Sequence, residues 1–246
     1  MPRPDGRTAD QLREIRMHRG FIDSAAGSVL IEWGRTRVIV TASVQEQVPP
    51  FLMNSGMGWI SAEYSMLPAS TPDRKPRDGR RGGPPDGRSV EIQRLIGRSL
   101  RTVVDTRCLG QRTIWVDCDV IQADAGTRTA AITGAYVALY DCFTAMRERK
   151  MIKKDPLKDG LAAVSVVVVD GVPMLDPCYQ EDSAAEADMN FVVSHEGGII
   201  EVQCTGEKTP LPRSRFDECF ALAEKGLREI RSLQNTALIR PLGARA

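Results

Sequence analysis

An α+β fold, with helices packed on sheets, is predicted by three features of this sequence. Short β-rich runs recur in pairs around turn residues, segments with helical periodicity follow them, and this strand-then-helix order occurs twice along the chain. The 246 residues carry 33 Lys and Arg against 32 Asp and Glu, a net charge of +1, and 42% are hydrophobic. A chain of this size and composition buries a proper core, which excludes disorder as the dominant state. Near-zero net charge means that any contact with nucleic acid must come from local clusters.

Residues 28–33 and 36–44 are β-rich runs split by Gly34 and Arg35, which predicts a hairpin, and another strand is expected at 58–64. Residues 72–85 then carry proline and glycine at a density that neither helix nor strand tolerates, so an exposed, mobile loop is expected. Helical spacing begins at Ser89, expected as the N-cap, with Ile92, Leu95, Ile96, Leu100 and Val103 on an apolar stripe. Arg94, Arg98 and Arg101 form another face, one that suits RNA or a neighbouring subunit or is simply solvated. Residues 113–121 alternate Ile114, Val116, Cys118 and Val120 against Trp115, Asp117 and Asp119, a half-buried strand. A second helix is expected over about 129–149. In the second half, 162–169 turns at Asp170-Gly171 into 172–175, and 189–194 pairs with 199–203 around Glu196-Gly197-Gly198. A last helix opens at Ser214, where Ser214-x-x-Asp217 fits a capping box. Phe216, Phe220, Ala223, Leu227, Ile230 and Leu233 form its apolar face. No linker separates independent domains, so residues 1–246 read as a single compact domain.

Six cysteines, Cys108, Cys118, Cys142, Cys178, Cys204 and Cys219, never form Cys-x-x-Cys, and only His18 and His195 accompany them, which argues against a zinc site. Their sparseness suits a reducing cytoplasm. The N-terminus lacks the apolar core of a signal peptide, and the longest apolar stretch, 162–169, falls far short of the ~20 residues of a membrane helix, so a soluble protein with no membrane partner is expected. No Ser-His-Asp or Cys-His set, Walker A pattern or Gly-x-Gly-x-x-Gly occurs.

The most informative stretch is 122–129, between a predicted strand and a predicted helix. Gly126 lets backbone approach a ligand, Thr127 offers a hydroxyl and Arg128 a bidentate guanidinium, so a phosphate would find neutral and charged donors together. The plainer alternative is that Thr127 or Thr129 caps the helix and Arg128 makes a surface pair. Arg88, at the start of the first long helix, is a second phosphate candidate or merely the end of a basic loop. Glu181, Asp182, Glu186 and Asp188 put four carboxylates in eight residues, either a Mg²⁺ site made of one or two carboxylates plus water or an acidic solvated turn. An acidic metal candidate beside two arginine-bearing phosphate candidates is the combination phosphoryl transfer needs. Between Asp73 and Arg88, six cations (Arg74, Lys75, Arg77, Arg80, Arg81, Arg88) face three anions (Asp73, Asp78, Asp86), a local charge of +3 that suits a polyphosphate backbone without base specificity.

Four strings taken together, 3–7, 91–101, 117–129 and 181–190, closely resemble the bacterial ribonuclease PH family, from Arg3 to about Leu233. The resemblance implies two mixed sheets with helices packed between and against them, in pseudo-repeated halves at about 10–150 and 158–233, followed by a variable tail at 234–246 that includes Arg240 and Arg245. It implies a phosphorolytic 3′→5′ exoribonuclease that trims tRNA precursors and other RNA with inorganic phosphate as co-substrate, releases nucleoside diphosphates, and runs reversibly. Arg88, Gly126, Thr127 and Arg128 would bind the phosphate. Asp182 and Asp188 would support catalysis and hold Mg²⁺, and Arg74, Arg77 and Arg80 would meet RNA. The expected assembly is a homohexamer, a trimer of dimers, with no DNA partner. Two other classes remain, a non-catalytic RNA-binding ring subunit and a hydrolytic 3′ exonuclease on the same fold.

Overall fold

The computed structural model describes residues 3–77, 86–240 and 242. Strands β1 (Ile15–Arg19), β2 (Gly27–Trp33) and β3 (Thr36–Gln45) run antiparallel, and β3 pairs antiparallel with β5 (Thr113–Gln122). At the edge of this sheet β4 (Trp59–Met66) lies parallel to β5, a pairing that needs the crossover supplied by α1 (Gly87–Thr102). The second sheet, in the order β7-β6-β8-β9, joins β6 (Leu161–Val169), β7 (Val172–Leu175), β8 (Ala187–Ser194) and β9 (Ile199–Gly206). Only the first sheet is mixed, which corrects the expectation of two mixed sheets. The second is antiparallel throughout because it consists of two hairpins joined by the short α3 (Tyr179–Ala184).

Helix α2 (Thr127–Glu148) packs on β2 and β3 of one sheet and on β6 of the other. Ala130, Ile132, Val137, Leu139 and Phe143 are fully buried around its circumference, so its sequence carries small and apolar residues throughout instead of a stripe. The close approach of β2 depends on Gly27, where a Cβ would stand 2.0 Å from the Ala138 carbonyl oxygen and 2.6 Å from the Cys142 nitrogen. Gly27→Ala is therefore expected to destabilise the protein by about 1–3 kcal/mol or more, read as a lower urea midpoint, because backbone must separate from backbone.

Helix α4 (Arg213–Ile239) covers β6 and β7. Its N-cap is Pro212 with no side-chain cap, so the expected Ser214–Asp217 capping box is absent; Arg213 Nε instead pairs with Asp217 at 2.9 Å. Leu233 is 39% exposed and Gln234 takes the inward position, its Nε2 donating to the Thr133 and Leu161 carbonyls and its Oε1 meeting His195. Arg19 grips Asp141 and donates to the carbonyls of Ala237, Leu238 and Arg240, which fastens the C-terminal turn of α4 to β1 and α2. Arg245 lies outside the described residues.

Candidate active site

Helix α2 begins at Thr127, two residues before the expected start, and its N-cap Gly126 has φ 63°. Glycine suits that position: besides the left-handed backbone, a Cβ would crowd Arg13 Nη2 at 3.0 Å and Thr129 Oγ1 at 3.4 Å. The preceding turn is pinned from two directions. Thr36 Oγ1 donates to the Ala125 carbonyl at 2.7 Å and accepts from the Asp124 amide at 2.9 Å, while Arg13 Nη1 donates to the Asp124 carbonyl at 2.5 Å. Asp176 holds Arg13 in turn, accepting from its Nε at 3.0 Å, its Nη2 at 2.6 Å and its amide at 2.7 Å, and from Trp33 Nε1 at 2.8 Å. Neither Thr127 nor Thr129 caps the helix; Thr129 Oγ1 donates to the Gly126 carbonyl at 3.0 Å. The N-terminus of α2 thus has no side-chain cap and keeps amides for an anion.

Thr127, Arg88, Asp124, Ala125 and Asp182 share one cleft of about 1140 Å³. Arg88 is the second residue of α1, whose N-cap is Asp86 and not Ser89; Ser89 is buried inside the first turn, and the Asp86 carboxylate accepts from the Arg88 amide. Arg128, 16% exposed, donates from Nη1 to Gln203 Oε1 on β9 at 2.5 Å and reaches Glu91 Oε1 on α1 at 3.4 Å. Gln203 Nε2 closes the triangle on Glu91 at 3.0 Å. The pair expected of Arg128 in the plainer reading is therefore real, and it fixes the guanidinium beside Thr127.

The acidic cluster is not one solvated turn, because α3 and β8 split it. Glu181 turns inward, where Arg3 binds it through Nε at 2.7 Å and Nη2 at 2.8 Å, and Glu186 accepts from the Gly171 amide at 3.2 Å. Asp182 and Asp188 remain, and among the described residues neither forms an ion pair within 4.0 Å. Asp182 is an exposed side chain at the cleft, with protein enclosing its inner side. That enclosure chiefly raises its pKa, with the nearby Asp188 charge adding to it and Arg88, Arg128 and Arg13 opposing. Burial likewise raises Asp188, against Arg128 and a hydrogen bond from Asn190. Two arginines and two aspartates are thus brought within one electrostatic neighbourhood.

Among the described residues no group of three or more His, Cys, Asp or Glu side chains could hold a metal. Two unpaired carboxylates of raised pKa do fit Mg²⁺, which commonly takes one or two carboxylates and completes its shell with water and substrate phosphates. Arg74 and Arg77 lie exposed in the loop after β4; Arg80 and Arg81 lie outside the described residues. Lys75 Nζ pairs with Asp86 at 2.6 Å, tying this loop to the start of α1. Of the arginine face on α1, Arg98, itself exposed, binds Glu201, Arg101 donates to the Ile60 carbonyl at 2.8 Å over the Trp59 ring, and Arg94 is exposed. Sequence reasoning missed Arg13, Gln203 and Tyr64, which belong to none of the motifs, and the contact of Glu91 with Arg128, since each acts across the fold on another residue.

The 3′ exoribonuclease family matches in both its parts, domain 1 over residues 11–144 and domain 2 over residues 160–226. Ribonuclease PH of Methylorubrum populi is 53% identical over 236 residues, covering 96% of this chain and 99% of that protein. Ribonuclease PH of Syntrophomonas wolfei subsp. wolfei is 52% identical over 238 residues, covering 97% and 99%. Among solved structures, a chain of the Archaeoglobus fulgidus exosome with RNA bound to the active site superposes with a TM-score of 0.80 at 24% identity over 94% of this chain and 91% of that one. A chain of an archaeal exosome core gives 0.77 at 22% identity over 94% and 90%, so the fold is shared. No helix among the described residues is long and apolar enough to cross a membrane. With both domains matched in order and relatives about half identical over nearly their whole length, the chain belongs to the 3′ exoribonuclease family and, within it, to the ribonuclease PH group.

Proposed function

We propose that this protein is a phosphorolytic 3′→5′ exoribonuclease that uses inorganic phosphate to remove 3′-terminal nucleotides from RNA. The observation that carries this reading is the cleft shared by Arg88, Thr127 and Asp182, at two helix N-termini, with Arg128 and Asp188 close enough to act electrostatically on Asp182. A phosphate seated on the Gly126, Thr127 and Arg128 turn presents an oxygen to the phosphorus of the last linkage. The bond to the 3′ oxygen of the preceding nucleotide breaks, a nucleoside diphosphate leaves, and the proton carried by phosphate ends on the departing 3′ oxygen. Asp182 or Asp188, with a raised pKa, suits that proton relay.

The reaction places one anion beside another, and two of the cations near Asp182 and Asp188 are themselves already met by carboxylates, Arg128 by Glu91 and Arg13 by Asp124 and Asp176, so they leave no free surplus of positive charge. A cation must offset the added negative charge, and Asp182 and Asp188 would hold Mg²⁺ for that purpose; when bound it screens charge on the reacting phosphates. Arg74, Arg77 and Arg80 would contact the RNA backbone. The two halves of the chain work as one unit, since Arg128 from the first and Asp182 and Asp188 from the second complete the site. A cytoplasmic homohexamer built as a trimer of dimers, acting on the 3′ ends of tRNA precursors and not on DNA, completes the proposal. The ring architecture is supported by likeness to exosome chains, and the reducing compartment by six free thiols.

Incubation with Mg²⁺ and 3′-labelled RNA, with and without inorganic phosphate, is the test. Phosphate-dependent release of nucleoside diphosphates is expected. Monophosphates released without phosphate would mean hydrolysis, and RNA bound without any release would mean a structural ring subunit; either overturns the proposal.

A further inference from the structure

We propose that Tyr64 is a positioning residue that turns the hydroxyl proton of Thr127 toward the attacking phosphate, an inference that rests on the phosphorolytic reading above. Tyr64 stands on β4, 3% exposed, with its hydroxyl 2.8 Å from Thr127 Oγ1. A buried phenol must place its proton on an acceptor. Among the described residues the Thr127 oxygen is the only acceptor in reach, so the direction of the bond is forced: Tyr64 donates and Thr127 accepts. The reverse arrangement would strand the Tyr64 proton in the core and incur its full desolvation penalty. Burial also raises the Tyr64 pKa, which keeps the group a donor at neutral pH.

The consequence falls on Thr127. Within a helix a threonine commonly donates its proton back to the carbonyl three or four residues earlier. Thr127 is the first residue of α2, so for it these are the Asp124 and Ala123 carbonyls of the preceding turn; Arg13 donates to the first of them, and among the described residues Thr127 bonds to neither. With Tyr64 on its inner side and the cleft on its outer side, Thr127 is left holding a proton whose open direction is the cleft. A hydroxyl fixed as a donor selects ligand oxygens that only accept, such as those of an ionised phosphate. A freely rotating hydroxyl has no such preference and must be ordered each time phosphate binds.

Tyr64→Phe keeps the ring that fills the core and deletes only the donor. In steady-state phosphorolysis with phosphate varied, the variant is expected to raise the KM for phosphate about tenfold, the scale of one misdirected hydrogen bond to a charged ligand. The KM for RNA should stay at the wild-type value, a split that a general loss of structure would not produce. In a Thr127→Ala background Tyr64→Phe should add nothing further, because the proton it orients is gone, while Thr127→Ser should restore sensitivity to Tyr64. Thermal melting and calorimetric binding of inorganic phosphate without RNA are measured on the same variants, so a folding defect is seen separately from a phosphate-specific loss. An unchanged phosphate KM in Tyr64→Phe, equal losses for phosphate and RNA, or a tenfold loss that persists in Thr127→Ala would each overturn the inference. Failure of the parent reading looks different, since wild-type protein would then release nucleotides without phosphate or not at all; that outcome removes this inference with it.

Discussion

Arg128→Ala is expected to lower phosphorolytic kcat/KM by at least ~10²-fold, the effect of removing one preorganised charge donor from a reacting anion. The size follows from how firmly the side chain is held. Gln203 and Glu91 fix its guanidinium at the start of α2, where 16% exposure leaves little room for water to replace it. In the variant Arg88 alone would face phosphate against the phosphodiester, and the phosphate KM should rise most. Arg128→Lys should recover only part of the loss, because a point charge cannot reproduce the planar fork that bonds Gln203 and phosphate together. RNA affinity should be nearly unchanged if the backbone is held chiefly by the loop after β4. Steady-state kinetics with phosphate and RNA varied independently, alongside filter binding of RNA, separates these effects. Near-normal activity with unchanged phosphate dependence would remove Arg128 from the site.

Most of the architecture was legible because its signals are local. Gly34, Gly171 and Gly197 all adopt positive φ at the expected turns, and the alternation in β5 and the stripe on α1 each report one buried face. β1 was not legible: five residues at a sheet edge, with His18 reaching Glu32 and Arg16 reaching Glu14, read like any polar connection. α3 was hidden for a different reason. Its six residues are too few for a helical period, and its start is fixed by Glu181 accepting from the Cys178 amide at 2.9 Å while Arg3 holds the same carboxylate from far along the chain. This contact also decides the acidic cluster, since only the partner 178 positions away shows that Glu181 is structural and leaves Asp182 facing the cleft. The Gly126 turn was legible as a phosphate candidate, yet its rigidity comes from Thr36, Arg13 and Tyr64 on other strands and loops, which no window around Gly126 contains.

Asp182→Asn and Asp188→Asn are each expected to lose roughly 10²-fold or more in activity, the contribution typical of a proton-transfer group, and yet to melt at higher temperature than wild type near neutral pH, with the larger gain for Asp188→Asn because Asp182 is exposed and solvent screens its charge. The sign follows from the direction of the pKa shifts. Burial, and for Asp182 also the Asp188 charge, raises both carboxyls above their ordinary range in the folded state. A folded pKa above the unfolded value of ~3.9 means that the native state binds the proton more tightly. The stabilising contribution is then fully present below the unfolded pKa, is lost as pH rises through the folded pKa, and at neutral pH two charged carboxylates oppose folding. Asparagine cannot ionise, so each variant should gain stability at pH 7 and lose that advantage in acid, where the wild-type carboxyls are already protonated. Activity is expected to run the other way, because on the proposed reading it is the ionised carboxylates that would hold Mg²⁺, and the acid limb of kcat/KM should therefore fall above the ordinary carboxylate range. Mg²⁺ should raise the melting temperature of wild type more than that of either variant, since a ligand stabilises only the state that binds it, and chelation should abolish wild-type activity. Variants that stay active, melt like wild type at pH 7 and respond equally to Mg²⁺ would show that these two carboxylates are surface charges. The opposed changes in stability and activity would instead mark a charge that the fold retains against its own stability because the reaction requires it.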